Sequence, residues 1–427
     1  MAGSTDWRAR DDLQRRLTRL GVTPRPAVDA SARRLALDEA ASGHGSRMAS
    51  GSVQETPFGP AWVIEQRFPL HLGHGHGPLN DILSVDPADA ARVAGRPQLA
   101  EAPVEQWLFL DTETTGLAGG AGTLVFLVGV GAIQAETFSL RQFFLRSPME
   151  EAGMLQALWE DLGGAAGLVT FNGAAFDLPL LETRYRIAHR KETRLTDRPH
   201  LDLLHPSRRL WRRSLPDCSL STLERRVLGV ERTLADVPGA LIPELYLGYL
   251  RTGDPAAMEG VLYHNTLDIL SLVRLAPEVV SRFTGAQLGG LSGAEALGVA
   301  GWHRAAGRRE AAGAAFQIAA VSEDPLVRLA AFRHFSTDLR RERRFDEALS
   351  FWHAWHALAP DDPQPCLELA KHYEWRVQDC AQARLWAQEA MVALSHRPDD
   401  WRRAQAWGEL EHRLSRLAKK QPSNLPA

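Results

Sequence analysis

The chain has 427 residues, of which 44% are hydrophobic and 24% charged, with a formal net charge of −3. At about 100–200 residues per domain this length suits two or three domains, and the balance excludes wholesale disorder and collagen-like fibres. Three cysteines without CxxC spacing argue against a disulfide framework or a zinc ribbon. The net charge offers no global attraction to nucleic acid, so any such binding must rest on a local basic patch. The longest nearly uncharged apolar stretch, 124–133, is half of the roughly 20 residues that cross a bilayer, so no membrane partner is expected. Asp6, Arg8, Arg10, Asp11 and Asp12 are too charged for a secretory signal, and a cytoplasmic protein is expected.

Residues 1–104 read as an irregular leader, with small and polar residues from 40 to 52. His71, His74 and His76 have a metal-like HxxHxH spacing, but Gly73, Gly75 and Gly77 make a loop without carboxylate or cysteine partners. From 105 the pattern changes. Apolar 107–110 predicts a strand that ends in the turn Asp111-Thr112-Glu113-Thr114-Thr115-Gly116. Strands at 124–133 and 138–145 complete an antiparallel meander. A helix at 150–162, a strand at 167–171 and a helix from Ala175 follow, which predicts an α/β domain over 105–280, a mixed sheet flanked by helices. Ser221 and Glu224 have capping-box spacing, and Pro255 opens a helix over 256–275.

Residues 281–293 are rich in small side chains and read as a linker. Over 294–420, Ala312, Ala348 and Ala383 recur at steps of 36 and 35. Phe316, Trp352 and Ala387 lie four positions on, and Ala319, Trp355 and Ala390 three further. This all-α segment resembles tetratricopeptide repeats, which stack helix pairs into a protein-binding surface. An ordinary helical bundle is the alternative.

Three acidic motifs carry the chemistry. Asp111 and Glu113 are two apart on an extended backbone, so both carboxylates face one side, although carboxylates at strand ends also cap turns. Phe171-Asn172-Gly173-Ala174-Ala175-Phe176-Asp177 runs from strand to helix, where Asp177 could equally be a helix cap. His264 and Asp268 in Tyr263-His264-Asn265-Thr266-Leu267-Asp268 share a helical face, and a mutual hydrogen bond could satisfy both.

As a set, in this order and on these elements, Asp111, Glu113, Asp177 and Asp268 resemble the acidic residues of the DEDD family of 3′–5′ exonucleases, whose fold is ribonuclease H-like. FLDTETTGL, TFNGAAFD and YHNTLD resemble its three motifs. The intervening HLDLLHPSRRLWRR, CSLSTLE and PGALIPELY are similar to the bacterial YprB-like branch. The resemblance implies a nuclease that binds two Mg²⁺ or Mn²⁺ ions through the four carboxylates, with Asp111 bridging them. It also places the terminal nucleotide near Thr114, Gly116 and Leu117, with Asn172 touching substrate or fixing its loop. The family's base is a tyrosine four residues before the last aspartate or a histidine five before it. Here His264 stands at four and Tyr263 at five, and helical geometry favours His264.

Asp202 is a further acidic candidate, read mainly as structural. Between Arg184 and Arg213 ten basic and three acidic side chains leave a net +7. Arg208, Arg209 and Arg212 can contact phosphates there, with Trp211 as a stacking surface, or form a solvated helical face. Three functions are therefore open. One is a metal-dependent nuclease acting on DNA or RNA. Another is a catalytically weak nucleic-acid-binding module whose repeats recruit a protein partner. The third is repeat-mediated assembly, with the acidic residues as relics.

Overall fold

The computed structural model describes residues 47–116, 122–233, 235–284 and 290–420. Its strands are β1 (Ser52–Thr56), β2 (Gly59–Pro69), the short pair β3 (Gly73–His74) and β4 (Gly77–Pro78), β5 (Trp107–Thr114), β6 (Val125–Gln134), β7 (Thr137–Phe144), β8 (Gly167–Thr170) and β9 (His200–Asp202). Seven of them form one mixed sheet in the order β1-β2-β7-β6-β5-β8-β9. The first five in that order pair antiparallel, and β8 and β9 extend the sheet in parallel.

The helices of this part are α1 (Pro87–Ala94), α2 (Glu151–Leu162), α3 (Asp177–His189), α4 (Leu204–Trp211), α5 (Leu220–Leu223), α6 (Ile242–Thr252) and α7 (Ala256–Thr284). One face of the sheet packs on α2, α3 and α6 through Leu155, Leu158, Leu181 and Tyr246. The other buries Phe109, Phe138 and Leu140 against Ile269, Leu270 and Val273 of α7. Trp107 is fully buried at the start of β5, and its indole donates to the Ala102 carbonyl at 2.9 Å. Burial of such a side chain contributes about 4–6 kcal/mol as an upper bound.

The meander and the alternation of β and α elements match the sequence expectation, but the leader does not. Residues 1–46 lie outside the described residues. Beyond them β1 and β2 form a hairpin, and β2 pairs with β7 from Trp62 to Pro69. The sequence hides this strand because Val63 and Ile64 are both buried and are followed by polar residues, which breaks the alternation of a half-exposed strand. His74 is also core: it is fully buried, and its Nε2 lies 2.8 Å from the Ser271 hydroxyl.

Two further boundaries are corrected. Helix α7 continues past 275, through Pro277, to Thr284, so the linker expected at 281–293 is shorter. An internal proline costs about 3 kcal/mol, which burial of Val279, Val280 and Phe283 offsets. The Ser221/Glu224 box is displaced as well: Ser219 caps α5, accepting from the Thr222 amide at 3.3 Å, and Glu224 is buried.

The rest is helical: α8 (Gly293–Ala305), α9 (Arg309–Ala320), α10 (Pro325–Arg341), α11 (Phe345–Leu358), α12 (Pro363–His372), α13 (Cys380–Ser395) and α14 (Trp401–Lys420). Side chains of Ser292, Asp324, Asp362 and Asp379 cap the helices that follow them. The nine periodic positions fall on α9, α11 and α13, and all nine are buried. This region continues the apolar core that lies under α7.

Candidate metal centre

The centre forms where β5, the start of α3 and the middle of α7 meet. Pairing of β5 with β6 becomes irregular between Glu113 and Thr114, so the strand ends at the acidic motif. Asp111 lies opposite Gly129 of β6, and a Cβ at 129 would stand 2.3 Å from Asn265 Oδ1 of α7. The missing side chain thus lets α7 approach the sheet beside Asp111. There Asn265 Nδ2 donates to Asp111 Oδ2 at 2.9 Å. Gln142 of β7 donates to Asn265 Oδ1 and to the Leu262 carbonyl, both at 2.9 Å. This buried polar ladder sets the rotation of α7, and with it His264 and Asp268, which lie one turn apart.

Glu113, His264 and Asp268 each offer a ligand atom within 4.8 Å of the others. His264 Nε2 is 3.4 Å from Asp268 Oδ2 and 4.0 Å from Glu113 Oε1. Asp111 and Asp177 complete the acidic cluster electrostatically rather than as part of that triplet. Burial lifts the Asp111 carboxyl well above its ordinary range, and Asp268, Glu113 and Asp177 push it further. Burial likewise raises Glu113 to about 8, with His264 opposing and Asp268 and Asp177 adding. Asp177, the first residue of α3, is raised to about 6, mainly by burial, against a hydrogen bond from Thr112 Oγ1. So much buried like charge calls for a cation. The oxygen-rich donors fit a hard divalent ion, which Glu113 and Asp268 would hold with Asp111 and Asp177 close by.

Around these residues lies a shell that the sequence did not reveal. His264 Nδ1 lies 2.8 Å from Asp236 Oδ1 and 3.0 Å from Arg232 Nη1, which leaves Nε2 facing the acids. Burial depresses the His264 pKa, but the Asp236 bond and the charges of Asp268 and Glu113 outweigh it and lift the ring to about 9. Arg232 binds Asp268 Oδ1 and grips Glu224 with two hydrogen bonds of 2.7 and 2.8 Å. Glu224 also accepts from Ser271 Oγ at 2.6 Å. The only sequence signal for this shell was Glu224, misread as a cap. Tyr263 stands apart, its hydroxyl accepting from Thr233 Oγ1 at 3.2 Å.

The remaining expected site residues separate into two groups. Asn172 is exposed with φ 69°, a left-handed conformation that asparagine tolerates. Its amide and that of Ala174 donate to Asp202 at 2.8 and 3.0 Å, so Asp202 fixes the loop leading to Asp177. Thr114 Oγ1 donates to the Gly116 carbonyl at 2.9 Å, and Gly116 has open space around it. Leu117 lies outside the described residues. Arg208, Arg209 and Arg212 are exposed on and just after α4. Trp211 cannot be the expected stacking surface: it is 4% exposed, and its Nε1 donates to Glu295 at 2.8 Å. An apolar helix face draws the ring into the core while its arginine neighbours stay in solvent.

Comparison with known proteins agrees with the fold. A family model described as the RNase_H superfamily matches residues 108–280. The uncharacterized protein YprB of Bacillus subtilis (strain 168) is 31% identical over 324 residues, covering 74% of this chain and 75% of that protein. With its mixed sheet, acidic centre and long matching span, the chain belongs to the RNase H superfamily, in the same family as YprB.

Proposed function

We propose that the protein is a metal-dependent nuclease of the DEDD type that removes nucleotides from the 3′ end of a DNA or RNA strand. The observation that carries this reading is the convergence of Asp111, Glu113, Asp177 and Asp268, from three separate elements, around His264. The four carboxylates would hold two Mg²⁺ or Mn²⁺ ions. Such ions, when bound, supply Lewis-acid activation of water and charge neutralisation at the leaving oxygen.

The chain's own groups do the rest. Neutralisation of Glu113 and Asp268 removes two of the influences that raise His264, so Nε2 can accept the proton of the attacking water. Asp236 holds the opposite ring nitrogen at 2.8 Å, and its carboxylate, which can only accept, favours a proton there over the Arg232 contact at 3.0 Å. Arg232 binds Asp268 Oδ1 and so turns Oδ2 toward the centre. Thr114, Gly116 and Asn172 border the place of the terminal nucleotide, and Arg208, Arg209 and Arg212 meet phosphates farther along the strand. The C-terminal helices are tetratricopeptide-like repeats open to a protein partner, and the protein works in the cytoplasm.

The test is hydrolysis of 3′-labelled and 5′-labelled single strands of DNA and RNA with Mg²⁺ or Mn²⁺. Stepwise shortening by the wild type, absent in Asp111→Ala and Asp268→Ala, is expected. Strand binding without hydrolysis in the wild type would replace the enzyme with a nucleic-acid-binding module.

A further inference from the structure

Most arginines of the helical region are matched by carboxylates, as Arg333 is by Asp362 and Arg340 by Glu368. The end of α4 differs. Arg209, Arg212 and Arg213 are exposed, and none of them forms an ion pair among the described residues. Together with Arg304 of α8 and His334 of α10 they line a cavity of about 260 Å³ at the junction of the sheet domain with the helical region. Among the described residues no carboxylate lines it, although Asp338 stands 3.8 Å from Arg304.

The junction is built rigidly. A Cβ at Gly298 would lie 2.1 Å from the Arg209 carbonyl oxygen, so α8 meets α4 at a distance that only glycine allows. Glu295 of α8 accepts from Trp211 at 2.8 Å and from Arg282 of α7 at 3.1 Å. The arginines therefore project from a locked corner rather than from a loose surface, which lowers the entropy cost of seating an anion between them.

The position is also defined relative to the acidic centre. Asp202 accepts the Leu204 amide at 3.0 Å as well as the amides of the loop before Asp177, so α4 starts beside that loop. Its eight residues rise about 12 Å, the length of about three to four stacked nucleotides. Four arginines facing one cavity suit phosphate, whose oxygens guanidinium groups bind in pairs.

We propose that this junction cavity holds backbone phosphates of a single-stranded nucleic acid, about three to four nucleotides beyond the loop that leads to Asp177, which makes the helical region part of the nucleic-acid interface. Its location rests on the nuclease reading; its ligand chemistry does not.

The test uses the full chain carrying Asp111→Asn in EDTA, which keeps the strand intact, and measures binding of a fluorescent 12-nucleotide single strand across a salt series. Addition of Arg212→Ala and Arg213→Ala is expected to weaken binding about tenfold or more and to flatten the salt slope by about 1–1.5, as loss of two phosphate contacts requires. The Arg212→Lys/Arg213→Lys pair should recover most of the slope, and Arg304→Ala should weaken binding without contact to α4's own arginines being lost. Unchanged affinity and slope in the alanine pair would overturn the proposal. Loss of inorganic phosphate binding with strand binding intact would overturn it too, by assigning the cavity to a free anion. A wild type that binds strands through these arginines but never hydrolyses them would refute the nuclease and leave the cavity's assignment standing.

Discussion

Glu113 and Glu374 are both largely withdrawn from solvent, yet their surroundings drive them in opposite directions. At Glu113 burial and neighbouring acids raise the pKa to about 8. At Glu374, whose side chain is fully buried between α12 and α14, burial is outweighed by Arg416, Arg413 and Lys420, and the pKa is lowered. The helical region thus surrounds one acid with three cations. The sheet domain crowds six acids, the four of the centre with Glu224 and Asp236, around one arginine and one histidine. Matched charge holds helices together; unmatched charge is a standing cost that a bound cation can relieve. A functional centre is therefore visible as the place where the chain is worst satisfied.

The largest break in this contrast is expected from Asp111→Asn and Asp268→Asn, each of which removes an acid from the unmatched cluster. Nuclease activity should fall to the level of the uncatalysed reaction, with the far-ultraviolet circular dichroism unchanged. Replacement of His264 by Ala should cost about 10²–10⁴-fold in kcat, the worth of a positioned general base. Tyr263→Phe should leave kcat within about twofold, since among the described residues its hydroxyl bonds only to Thr233 and its loss acts on stability by about 1 kcal/mol. Equal losses in the two variants would show that the ring facing the acids is not the base.

Glu374→Ala should destabilise the fold by about 2–3 kcal/mol, read from urea unfolding. The figure is below that of a wholly buried pair because Arg416 and Lys420 are 36% and 48% exposed and water screens them. Glu113→Gln should do the reverse in EDTA, raising the midpoint of thermal unfolding while abolishing the stabilisation that Mg²⁺ or Mn²⁺ gives the wild type. The last effect is a pH dependence. Because Glu113 titrates near 8 in the folded chain and near its ordinary 4.5 when unfolded, the folded state binds the extra proton between those values. Its contribution to the stability of the metal-free protein therefore falls as pH rises from about 4.5 to about 8. Saturating metal should flatten that decline, and a melting series at pH 5–8.5 with and without EDTA reads the difference.

Much of the centre was legible in the chain because its parts are local. The DxE spacing, the strand-to-helix step at Asp177 and the one-turn separation of His264 and Asp268 each occupy a few residues, so strand and helix periodicity alone orient them. The meander 107–145 was legible for the same reason. Arg232 and Asp236 were not, since they sit in an irregular segment whose residues carry no periodic mark. Trp211 was misplaced because charge around it suggested exposure, whereas its own bulk draws it under α8.

The type and order of the elements from 107 onward thus follow from short-range pattern, whereas the four acids stood out as a set only through their resemblance to a known family. The joining of β2 to β7 does not follow from such pattern, because an edge pairs through backbone groups that every residue shares. Nor does the bond of Arg232 to Asp268, 36 residues away, or the arginine corner made by α4 and α8. Those contacts exist once burial has set the helices against the sheet, and the energy of placing charge there depends on which groups the fold has brought within reach.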